Sequence, residues 1–110
     1  MAFINSIISI FTQKRLGQID NFKANPIETQ RDTLKELLRT AQNTEYGQQY
    51  DFHSLTTPEQ YRERLPIVHY EDINELIRQT MNGKQNILWP EEIKWFAKSS
   101  GTTDAKSKFI

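Results

Sequence analysis

Residues 94–110 read Lys94-Trp95-Phe96-Ala97-Lys98-Ser99-Ser100-Gly101-Thr102-Thr103-Asp104-Ala105-Lys106-Ser107-Lys108-Phe109-Ile110, and the expected fold class turns on this stretch. Upstream, as far as Met81, apolar residues recur at helical spacing. Here the period changes. Ile93 to Ala97 is short, aromatic-rich and bounded by turn residues, which is the pattern of a strand. A polar loop over 99–104 follows, and Lys108-Phe109-Ile110 reads as the start of a second strand. The expectation is an α+β chain: a mainly helical part over residues 1–83, then a strand, loop and strand over 84–110 that would join a larger α/β sheet. Alone, such a sheet edge is unpaired and prone to self-association.

The loop carries the chemistry. A phosphate-holding loop needs inward backbone N–H groups, small residues that let the backbone approach, hydroxyl donors and nearby cations. Ser99, Ser100, Gly101, Thr102 and Thr103 meet the first three requirements, and Lys98, Lys106 and Lys108 the last. The same composition also describes an ordinary turn between strands. It is not a Walker loop, because the Gly-Lys-Ser/Thr with an upstream glycine is missing.

Charge is informative only locally. The 110 residues hold 14 Lys+Arg and 14 Asp+Glu, a formal net charge of zero, which argues against nucleic-acid binding as the main function. From Lys94 onward, however, four lysines face one aspartate, so the neutral total conceals a basic end. With no cysteine there is no disulfide framework, thiolate zinc site or cysteine nucleophile, and a cytoplasmic location is expected. His53 and His69 stand without a second ligand at a metal spacing. Only 36% of the residues are apolar, against ~45–50% in ordinary globular chains. A chain with so little core material is expected to complete its core against further structure.

The most apolar stretch, Phe3 to Phe11, fails as a signal peptide: no positive side chain precedes it, and Asn5, Ser6 and Ser9 interrupt it. It is also far short of the ~20 apolar residues of a spanning helix. Ile4, Ile7, Ile8 and Phe11 lie on one helical face, expected to pack, with a membrane-surface or partner-binding helix as the alternative. This helix should continue through Leu16, Ile19 and Phe22 to Asn25-Pro26.

Asn25 is positioned to cap a second helix with Pro26 in its first turn. Ile27, Leu34, Leu37, Leu38 and Ala41 lie on one face of it. A short helix follows through Tyr46 and Tyr50, then a loop over 51–56. Thr57-Pro58-Glu59-Gln60 is a capping box that opens a helix to about Arg64. Ile67-Val68 reads as extended, and Ile73, Leu76, Ile77 and Met81 mark a further helix that stops at Gly83. Trp89, Trp95, Tyr46 and Tyr50 are expected in the core rather than as a base-stacking platform.

The segment from Lys94 to Thr103, followed by 106–110, resembles the phosphate-binding first motif of the GH3 family. These are acyl acid-amido synthetases of the acyl-adenylate-forming superfamily, and the resemblance is closer to the bacterial branch. Upstream segments agree in order: Thr44-Glu45-Tyr46-Gly47 with Tyr50-Asp51-Phe52, then Leu65-Pro66-Ile67 with Tyr70-Glu71-Asp72, then Gly83 with Asn86-Ile87-Leu88-Trp89-Pro90. The likeness covers residues 12–110. One position departs: Ala105 stands where family members commonly have glycine.

The resemblance implies an enzyme that activates a carboxylic acid with ATP and Mg²⁺ and passes the acyl group to an amino acid. Ser99, Ser100, Gly101, Thr102 and Thr103 would hold the ATP phosphates, and Lys108 would be the motif's phosphate-stabilising lysine. It also implies that these residues are the N-terminal part of a larger adenylating domain, inactive alone. An acyl-CoA ligase of the same superfamily is the near alternative, and a non-catalytic helical interaction module the distant one.

Overall fold

The computed structural model describes residues 1–101 and 106–110. The helices are α1 (Ala2–Ala24), α2 (Pro26–Ala41), α3 (Glu45–Gln49), α4 (Pro58–Arg64) and α5 (Tyr70–Met81), with a 3₁₀ turn at Phe52–Ser54 inside the expected loop over 51–56. Two compact units divide the chain, Met1–Leu34 and Lys35–Ile110.

The first unit holds α1 and the opening of α2. No residue of α1 is buried, so the expected packing face is left open: Ile4, Ile7, Ile8 and Phe11 are all exposed. Ser6 and Thr12 turn their hydroxyls onto the carbonyls of Ala2 and Ile8 one turn back, as hydroxyls within helices do. Asn25 does not cap α2 through its side chain as expected. Its amide donates to Asn21 Oδ1 at 3.3 Å, and its carbonyl accepts from the Thr29 N–H. Among the described residues no helix is long and apolar enough to cross a membrane.

The second unit contains the core: Leu38, Ala41, Phe52, Leu55 and Ile87, with Thr44 and Thr80 buried among them. Of the residues expected on the α2 face, Leu38 and Ala41 are buried while Ile27 and Leu37 are exposed. Helix α4 opens with the full capping box, Thr57 accepting from the Gln60 N–H and Gln60 accepting from the Thr57 N–H. At the end of α5 the Gly83 N–H donates to Thr80 and the Lys84 N–H to Gln79. That double reversal needs a left-handed residue, and Gly83 has φ +100.

The strand-loop-strand is not formed, and the α+β expectation is overturned. Among the described residues there is no strand or sheet, only an isolated antiparallel bridge between Lys98 and Phe109. Hydrogen bonds join Ala97 to Ile110 in both directions and the Ser99 N–H to the Lys108 carbonyl. Residues 93–96 find no ladder partner, and a lone two-stranded pairing is marginal without a third strand or a packed face. Aromatic content misled here as well: Trp95 is 90% exposed instead of in the core. Ile67 is likewise exposed and joins no ladder.

Candidate functional site

The candidate loop springs from a closed base. Ser99 and Lys108 are joined twice, the Ser99 N–H donating to the Lys108 carbonyl and the Lys108 N–H to Ser99 Oγ, both at 2.8 Å. Ser99 Oγ therefore still has its own proton to donate. Ser99 is partly buried, whereas Ser100, Gly101 and Lys108 are exposed. Thr102, Thr103 and the departing Ala105 lie outside the described residues. What is visible brings Ser99 and Lys108 together and leaves Ser100 and Gly101 open to a ligand.

Helix α5 braces this base. Lys98 and Phe109 oppose each other in the non-hydrogen-bonded register, so the N–H and C=O of Phe109 point away from Lys98. Both are met by one group: Tyr70 Oη accepts from the Phe109 N–H at 3.1 Å and donates to the Phe109 carbonyl at 3.0 Å. Lys108 Nζ lies 5.0 Å from the centre of the Tyr70 ring and 3.7 Å from Glu71 Oε1. Lys98 Nζ sits 5.8 Å from the Phe109 ring centre. Between α5 and residues 106–109 runs a cleft of about 630 Å³, with Arg78 and Lys106 also in its wall. Tyr70 takes its place because α5 begins there: the Asp72 carboxylate accepts from the His69 N–H at 2.8 Å, which fixes the first turn.

The other segments noted along the chain also meet in pairs. Thr44 Oγ1 accepts from the Gly47 N–H and donates to the Ala41 carbonyl, fully buried. The first N–H groups of α3, from Glu45 and Tyr46, donate to the carbonyls of Asn86 and Ile87 at 3.0 Å. Lys84 pairs with Glu45 at 3.0 Å. Arg64 closes the turn at Asp51 by reaching the Tyr50 carbonyl, Asp51 and Ser54. The Tyr46 ring packs on Tyr50 and Phe52. Burial pushes the Tyr46 phenol above the ordinary tyrosine range, with Tyr50 and Tyr61 adding to the effect.

The donor set suits an anion. Ser99 and Ser100 offer hydroxyls, Gly101 a backbone N–H, and Lys98, Lys106 and Lys108 positive charge. Among the described residues no group of three His, Asp or Glu side chains could hold a metal. In the sequence Tyr70 stands out only as part of the Tyr70-Glu71-Asp72 segment and carries no signal of a role. No periodicity signals a contact that reaches across 39 positions.

These features define a small helical unit that presents a serine, glycine and lysine loop from a braced base. The chain belongs to the GH3 family: residues 15–110 match the GH3 family N-terminal domain. It is similar to an indole-3-acetic acid-amido synthetase of Arabidopsis thaliana, 31% identical over 99 residues, covering 89% of this chain and 16% of that protein. A jasmonoyl-L-amino acid synthetase of Nicotiana attenuata is 29% identical over 99 residues, covering 89% of this chain and 17% of its own length. The chain thus spans about a sixth of the curated relatives it matches.

Proposed function

We propose that this chain is the N-terminal part of an ATP-dependent acyl acid-amido synthetase, and that the loop based on Ser99 and Lys108 holds the ATP phosphates. The observation that carries the reading is the double hydrogen bond between Ser99 and Lys108. It holds the two ends of a hydroxyl-bearing loop together in a chain whose relatives are named as acid-amido synthetases.

ATP, brought with Mg²⁺, supplies the activation: the carboxylate oxygen attacks the α-phosphorus and the bond to pyrophosphate breaks. An amino acid's amine then attacks the acyl carbon, the acyl–oxygen bond to AMP breaks, and AMP and a proton leave as the amide forms. The residues of this chain bind and orient. Ser99, Ser100, Thr102 and Thr103 donate hydroxyl protons to phosphate oxygens, Gly101 lets the backbone approach, and Lys108 offsets the charge that builds on the leaving pyrophosphate. No residue here acts as a nucleophile. The acyl pocket, the amine site and the adenine pocket belong to the rest of the enzyme, so the 110-residue chain alone has no adenylating activity.

Acid-dependent exchange of labelled pyrophosphate into ATP, measured on the full-length protein, tests this reading. Lys108→Ala and Thr102→Val should each lower the exchange rate by at least tenfold, the scale of one lost charge-stabilising contact. Wild-type exchange in both variants would reject the phosphate-loop assignment. Pyrophosphate release by the isolated chain would reject its inactivity.

A further inference from the structure

We infer that Tyr70 is a positioning residue for Lys108, an inference that rests on the phosphate reading of the loop and deepens it. Lys108 is an exposed side chain on an isolated bridge, and nothing in the bridge itself fixes where its ammonium points. A two-stranded pairing of this length frays, and a lysine loses much rotamer freedom whenever it is held. Some other group has to hold the segment if Lys108 is to meet a phosphate reproducibly.

Tyr70 does so in two ways. Its hydroxyl satisfies both outward groups of Phe109, the residue directly after Lys108, standing in for the neighbouring strand that the bridge lacks. Its ring lies under the Lys108 ammonium at a distance suited to a cation–π contact. Backbone and charge of the same dipeptide are thus both referred to one side chain, and that side chain is anchored in the first turn of α5. The Glu71 carboxylate, at 3.7 Å, completes the resting position of the ammonium. It is a long, exposed ion pair, weak enough to be exchanged for a phosphate.

Lys108 therefore waits on the Tyr70 ring beside Glu71 and moves to the nucleotide by rotation of its own side chain, while Phe109 stays fixed. Glu71 and the Tyr70 ring both give up the ammonium to the nucleotide, whereas the Tyr70 hydroxyl keeps its hold on the Phe109 backbone.

Tyr70→Phe separates the two contacts, because it keeps the ring and removes both hydrogen bonds. In the full-length enzyme it should lower kcat/KM for ATP about tenfold, the scale of two modest hydrogen bonds. In a Lys108→Ala background the same substitution should change nothing, since a residue that acts through Lys108 has no effect once Lys108 is gone. Hydrogen exchange at the Phe109 amide, followed without nucleotide, should speed up in Tyr70→Phe. Equal losses in both backgrounds would mean that Tyr70 serves packing alone and would overturn the inference, as would full activity of Tyr70→Phe. Unchanged exchange at Phe109 would overturn the clamp by itself. Wild-type kinetics in Lys108→Ala would instead remove the phosphate reading, whatever the exchange result.

Discussion

The Tyr46 N–H donates to the carbonyl of Ile87 at 3.0 Å, and the Glu45 N–H next to it donates to Asn86. Helix α3 is only five residues long, and its unpaired N-terminal donors need partners. They find them in a segment 41 positions away, held in shape by Asn86 at φ 58 and by its side chain on the Asn43 carbonyl. Ile87 is 1% exposed at the centre of this junction.

Ile87→Ala should destabilise the chain by about 3 kcal/mol, since an isoleucine so deeply buried leaves a cavity that its neighbours fill only in part. Ile87→Val should cost about 1 kcal/mol. Urea midpoints of the two variants check both the order and the size.

Three glycines give contrasting expectations. A Cβ on Gly47 would run into the Ala41 carbonyl oxygen, so Gly47→Ala has to move backbone and should cost about 2–3 kcal/mol. Gly17 lies within α1 with nothing near it, so Gly17→Ala should stabilise by about 0.5–1 kcal/mol through helix propensity. Gly83 is also in open space but at φ +100, so Gly83→Ala should cost about 1 kcal/mol in strain alone. Denaturation curves of the three variants should therefore shift in opposite directions for Gly17 and the other two.

Thr44 and Thr57 are both helix caps, but only Thr44 is buried. Thr57→Ala should cost about 1 kcal/mol, the usual worth of an exposed cap. Thr44→Val keeps the shape but strands the Gly47 N–H in the interior, so its cost should be larger, about 2 kcal/mol. Thermal unfolding of the two variants side by side tests the ranking.

Tyr46 gives the chain an alkaline sensitivity. Its phenol is held protonated above the ordinary tyrosine range, first by burial and then by Tyr50 and Tyr61. The unfolded chain loses this proton first, so the contribution is fully present below the ordinary tyrosine pKa and is lost as pH rises through the folded value. Urea midpoints measured from about pH 8 to about pH 11 should fall more steeply for the wild type than for Tyr46→Phe.

Much of the helical part could be read from local signals. The capping box at Thr57 and Gln60, the stop at Gly83 and the apolar spacing of α5 each act within a few residues, where side chain and backbone meet whatever the rest of the chain does. The strand expectation failed because a strand is not a local object. Ile93 to Ala97 has strand composition, but a ladder exists only where another backbone lies alongside, and three positions of pairing with 108–110 make no more than a bridge. Trp95 and the open face of α1 failed for a related reason: apolar character says that a side chain gains from burial, not that a surface is there to bury it.

The helix boundaries and the hydroxyls and lysines of the loop follow from the order of residues alone, since capping, periodicity and residue chemistry are short-range. It took the folded chain to show that the Ser99 hydroxyl accepts from the Lys108 backbone, that Tyr70 grips Phe109 from 39 positions away, and that Ile87 supports the start of α3. Those contacts join segments whose meeting depends on how the whole unit closes its core, and no spacing within any one segment encodes it.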